Sequence, residues 1–154
     1  MLNPNPKFLI LFFNDNTHHI HNILPHMEDL SDIEIMKKLM IEHETIKKKI
    51  IISEDKLGER KYWDCIILNN NGEIDFNKEK VIKVKLKEIR DNRNNYWQSL
   101  DTNYIIALQR KDINKQNIIA QKSEYLRNIT NIDFTFLSPR QIIDYNPFLN
   151  FTIN

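Results

Sequence analysis

The segment "HHIHNILPH" gathers His18, His19, His21 and His26, four of the five histidines in the chain. Neutral imidazoles are common metal ligands, so the cluster asks whether a metal is held there. On a strand, alternate side chains share a face, which puts His19 and His21 together and turns His18 away. Two ligands would then need partners such as Glu28 or Asp29, because catalytic zinc uses three protein ligands and structural zinc four. A solvated strand and loop is the plainer reading, and no metal or other cofactor is assigned, with His19 and His21 as the weak candidates.

Other chemistry is harder to assemble. With glycine only at Gly58 and Gly72, no loop can cradle phosphate, and neither a G-x-S-x-G elbow nor an H-E-x-x-H helix occurs. "IEHE" sets His43 between two acids without the second histidine a zinc helix requires. The single cysteine, Cys65, excludes an internal disulfide and reads as a buried strand residue in a reducing compartment. The expectation is a protein without catalytic activity.

From Lys78 to Arg93, seven basic residues stand against Glu79, Glu88 and Asp91, with Lys83, Lys87 and Arg90 on one helical face. Such a face could meet phosphates or an acidic partner. The acids are interleaved, no aromatic platform accompanies the lysines, and the net charge is only +1, so nucleic acid is a poor candidate partner. Trp63, Tyr96, Trp97 and Tyr104 invite a stacking role; aromatics at helical spacing beside Leu100 and Leu108 are more often core, though tryptophan is also a residue type that anchors interfaces.

The elements that must position these residues follow from periodicity. The 154 residues, 41% hydrophobic and 28% charged, are ordinary for a folded chain. The apolar run Phe8 to Phe13 is far short of the ~20 residues that span a bilayer, and no small-residue cleavage site follows it. We expect neither signal peptide nor membrane partner. After Pro4 and Pro6, "KFLILFF" and the residues from Thr17 to Ile23 form a hairpin about the "NDN" turn. Ser31 and Glu34 make a capping box opening a helix with Ile33, Met36 and Met40 on one face. "KIIIS" at 49–53 is a strand, "EDKLGER" a turn, and "YWDCIILNNNGEIDF" two strands about Asn69 to Gly72.

The period then becomes helical. Ile82, Leu86, Ile89, Arg93, Tyr96 and Leu100 form one stripe. Asp101 is set to cap a further helix carrying Tyr104, Ile105 and Leu108, and Asp112 or Asn114 another with Ile118, Ile119, Leu126 and Ile129 inward. "SPRQ" from Ser138 starts a last short helix that Pro147 stops. The expected class is α+β: a small antiparallel N-terminal sheet with one helix over 1–76, then a helical region over 77–154. The latter holds a long helix at 77–100, a helical hairpin at 101–130 and a short terminal helix at 139–145.

From Trp63 on, the order of motifs resembles small proteins encoded in phage and prophage tail modules. The residues concerned are Trp63-Asp64, Asn71-Gly72, Ile89-Arg90 with Arg93, Leu100-Asp101, Ala107-Leu108, Asp112, and Lys122 with Leu126-Arg127. Asn128 departs from the aspartate usual in that group. The C-terminal half is similar to phage tail or tail-fibre assembly chaperones; the N-terminal half is similar only in layout. The resemblance implies a non-enzymatic accessory in the host cytoplasm or on the virion, binding a phage tail or tail-fibre protein. Tyr96, Trp97 and Tyr104 would be anchors of that docking surface and Arg90, Arg93 and Arg127 its polar rim. A structural tail component of the virion is the alternative, a nucleic-acid- or metal-binding regulator a further one, and self-association is left open.

Overall fold

The computed structural model describes residues 7–23, 27–41 and 45–152, with the side chain of Glu28 excepted. Pro4, Pro6, His26 and His43 lie outside the described residues. Two compact units divide at Asn77 and Lys78, one residue beyond the expected boundary. The class is α+β, as expected: a small antiparallel sheet region followed by a long helix and a second one.

In the first unit, β1 (Lys7–Phe13) is the middle strand of a sheet ordered β2-β1-β3, flanked antiparallel by β2 (His18–Asn22) and β3 (Ile46–Ser53). A continuous apolar run suits a strand covered on both faces, and all six residues from Phe8 to Phe13 are buried. Leu9, Leu11 and Phe13 pack with Met27 and with Ile35 of α1 (Asp32–Lys38). On the opposite face Phe8 meets the edge of Trp63, ring centroids 4.9 Å apart.

Ser31 and Glu34 form the expected capping box. The face of α1 is not the expected one: Ile33 and Met40 are exposed, and Ile35 is buried with Leu39 beside it. Met40 has left the helix with φ 53°, its N–H bonded to the Lys37 carbonyl while the Ile41 N–H reaches that of Met36. This pair of bonds closes a helix C-terminus around a left-handed residue.

Beyond β3, Glu54–Leu57 forms the one-turn helix α2, where a turn was expected, and Gly58 ends it at φ 78°. Arg60–Cys65 is a 3₁₀ turn rather than the start of a strand. Cys65 is buried as expected but in that turn. A separate two-stranded sheet follows, β4 (Ile66–Leu68) with β5 (Ile74–Phe76). In its loop the Asn69 side chain accepts from the N–H groups of Asn71 and Glu73, both at 2.9 Å, and Gly72 supplies the positive φ.

The second unit rests on α3 (Lys78–Gln109), 32 residues without the break expected at Asp101. Asp101 lies within the helix and caps nothing. Its inward stripe is Val81, Lys85, Ile89, Leu100 and Ala107; Ile82 and Leu86 are only half-buried. A lysine in the stripe disguised its phase. The hairpin therefore consists of α3 itself and α4 (Ile113–Asn128), joined by three residues. Lys111 takes φ 53°, its N–H bonding the Leu108 carbonyl and the Asp112 N–H that of Ala107. Asp112 in turn caps α4, accepting from the Lys115 N–H at 2.9 Å. Ile89, Leu100, Ala107, Ile119, Leu126, Ile129 and Phe148 make the core. Ile118, expected inward, is 49% exposed. Ser138, Pro139 and Gln141 open α5 (Pro139–Asp144) with the expected capping box. Among the described residues, no helix is long and apolar enough to cross a membrane.

Candidate functional site

Residues four, seven and eleven positions apart fall near one helical face, so Trp97, Asp101, Tyr104 and Leu108 run along one flank of α3. Where α4 packs beside that flank, Trp97, Asp101 and Tyr104 meet Ile119, Ala120, Ser123 and Arg127 across a groove of about 290 Å³. Small residues at Ala120 and Ser123 keep it open. Tyr104 is 41% exposed, and Ile105 and Leu108 are each 55% exposed just beyond it. The result is an aromatic and aliphatic strip with a carboxylate on one helix and a guanidinium on the other.

Three of the six residues singled out from sequence thus come together: Trp97, Tyr104 and Arg127. The other three do not. Tyr96 points to the core side, stacked on Phe148 with centroids 5.0 Å apart and meeting Phe151 edge-on at 4.9 Å. Arg93 is half-buried, its Nε sealed from solvent without a hydrogen-bond partner. Arg90 is exposed with Lys83 and Lys87 along the basic face of α3.

Arg127 is held in place. Its guanidinium donates to the Glu124 carboxylate at 3.0 Å, and the Asn128 amide donates to the other oxygen at 2.9 Å. These two hydrogen bonds draw the Glu124 pKa below the ordinary carboxylate value. Asn128 therefore serves as a donor that steadies Glu124.

The histidines divide as strand geometry requires. His19 lies opposite Leu11 and His21 opposite Leu9, on the α1 side of the sheet, while His18 lies opposite Phe12. The His18 ring donates from Nε2 to the Trp63 carbonyl at 2.9 Å, tying the 3₁₀ turn to β2. The rings of His19 and His21 are 6.0 Å apart, and His19 meets Phe13 edge-on. Nε2 of His21 is buried and has no hydrogen-bond partner. Desolvation, and secondarily the neighbouring His19, lowers its pKa. Among the described residues, no three His, Cys, Asp or Glu side chains stand where they could hold a metal ion.

A second groove, of about 510 Å³, escaped the sequence reading. Ile118, Gln121 and Tyr125 of α4 line it with Pro147, Leu149 and Phe151. The Tyr125 hydroxyl donates to the Pro147 carbonyl at 2.6 Å, and its ring stacks on Phe151. Burial, and then Tyr145, raise the pKa of that hydroxyl. The spacing of Ile118, Gln121 and Tyr125 carries the signal for this groove, masked in the sequence because Ile118 also fits a core stripe with Ile119.

No family model, no curated protein and no solved structure matches the chain.

Proposed function

We propose that this chain is a non-enzymatic accessory of a phage or prophage tail module, an assembly chaperone whose helical unit binds another tail or tail-fibre protein. The motif order from Trp63 to Arg127 supplies the context. The observation that carries the docking role is the groove between α3 and α4, where Trp97, Tyr104 and Arg127 converge beside the exposed Ile105 and Leu108. Aromatic side chains and arginine at the centre of a contact surface are the residue types that carry binding energy. A partner segment with an apolar side chain for the strip would cover it and be kept from aggregating.

The test is to tag the chain, express it with its neighbouring genes, and identify by mass spectrometry what copurifies and what persists in finished particles. A tail or fibre protein captured in lysate, absent with the Trp97→Ala variant, and a chain missing from particles, support the chaperone reading. Persistence in particles would make it a structural tail component. Capture of nucleic acid alone would return attention to Lys83, Lys87 and Arg90.

A further inference from the structure

The three-stranded sheet has two edges of different character. β2 is short and polar, with His18, His19, His21 and Asn22 among its five residues. β3 is eight residues long, and among the described residues no strand pairs with its outer side. Its outward N–H and C=O groups form a template for another strand. Edge strands in natural proteins are commonly protected by lysines, and β3 carries Lys47, Lys48 and Lys49. Two of these ammonium groups have partners on their own chain. Lys48 donates from Nζ to the Gly72 carbonyl. Lys49 donates to the Leu30 carbonyl at 3.2 Å and lies 3.6 Å from the Asp32 carboxylate. The other half of the strand is Ile50, Ile51 and Ile52, with Ile51 37% exposed.

The order of residues selects the occupant. Parallel pairing of two β3 strands in register would set each lysine against its own copy, which is destabilising. An antiparallel pair about a two-fold axis normal to the sheet sets some residue opposite itself, because facing residues must share a face. Centred on Lys49, that pairing opposes two ammonium groups. Centred on Ile50, it pairs Ile50 with Ile50, Lys49 with Ile51, Lys48 with Ile52 and Lys47 with Ser53. No lysine then faces a lysine, and each isoleucine gains an aliphatic neighbour. A centre at Ile51 also avoids opposed lysines but shortens the ladder at both ends.

We propose that β3 pairs antiparallel with β3 of a second copy of this chain, about a two-fold axis at Ile50, joining two three-stranded sheets into one. The surface lies in the first unit and is separate from the groove between α3 and α4. The closed pair removes the exposed edge from both copies.

Light scattering and disulfide trapping on the full-length protein test this. The wild type is expected to be a dimer at micromolar concentration. Under mild oxidation Ile50→Cys should trap as a covalent dimer, since facing residues in an antiparallel pair have Cα atoms within bridging range. Ile52→Cys, displaced from its own copy by four residues, should trap roughly tenfold less. Wild type, with Cys65 buried, serves as the blank. Ile51→Lys should yield monomers with an unchanged circular dichroism spectrum. A monomeric wild type would overturn the proposal, as would a dimer trapped equally at both positions or one indifferent to Ile51→Lys.

Discussion

The Nζ of Lys85 lies 2.8 Å from the carbonyl oxygen of Ile143, joining the first third of α3 to the last turn of α5. Lys85 is only 5% exposed, and its second partner is Glu88, 3.4 Å away. The last carbonyls of a helix have no partner within it, so the buried cation completes the end of α5. Lys85→Met keeps the aliphatic stem and removes the donor. It should destabilise the helical unit by about 1–3 kcal/mol, the cost of leaving a buried carbonyl unmatched, measurable by urea unfolding.

Trp97 and Tyr96 are adjacent in sequence and should fail in different ways. Trp97→Ala is expected to weaken partner binding by about 2 kcal/mol, roughly thirtyfold, alongside a loss of stability because the ring also packs against the core of the helical unit. Tyr96→Ala removes the ring stacked on Phe148 and should cost about 3 kcal/mol of stability. Titration calorimetry with the captured partner, set beside thermal melts, separates the two. Equal loss of partner binding in both variants would contradict the assignment of Trp97, and not Tyr96, to the groove.

The loop between α3 and α4 offers two opposite effects at neighbouring positions. Lys111 occupies the left-handed region without the freedom of glycine, so Lys111→Gly should stabilise by up to about 1 kcal/mol. Asp112→Ala removes the acceptor for the Lys115 N–H and should cost about 1 kcal/mol. Denaturant midpoints of the two variants should therefore move in opposite directions.

His21 makes stability depend on pH with a determined sign. Its folded pKa is below the ordinary value of 6.5, so the unfolded chain takes up a proton first as pH falls. Its contribution is flat above that value, and stability declines as pH passes below it until the folded ring also protonates. His21→Leu should flatten the part of the urea midpoint lost between about pH 7 and pH 5. An unchanged pH profile in that variant would assign the effect to other groups.

Local signals in the sequence were enough for much of this fold. The capping boxes at Ser31 and Ser138, the cap at Asp112 and the turn from Asn69 to Gly72 are each decided by side chains within a few residues of the backbone they serve. The antiparallel hairpin of β1 and β2 and the separation of sheet from helical unit were legible for the same reason. The candidate site was half legible. Trp97, Tyr104 and Arg127 could be named from type and spacing, and their convergence needed α4 beside α3.

What only tertiary structure decided concerns burial and competition between alternatives. Asp101 has the chemistry of a cap, yet Leu100 and Ala107 pack into one core and the helix continues through it. Lys85 belongs to a basic run, and it is the Ile143 carbonyl, distant in sequence, that makes its burial affordable. The identities of Ile35 over Ile33, of Ile119 over Ile118, and of Tyr96 as a core ring all depend on which neighbour arrives across the chain. Sequence alone determined where this protein turns and caps, because those hydrogen bonds are local; packing determined which faces are hidden and which remain open to a partner, because apolar burial is settled between segments distant in sequence.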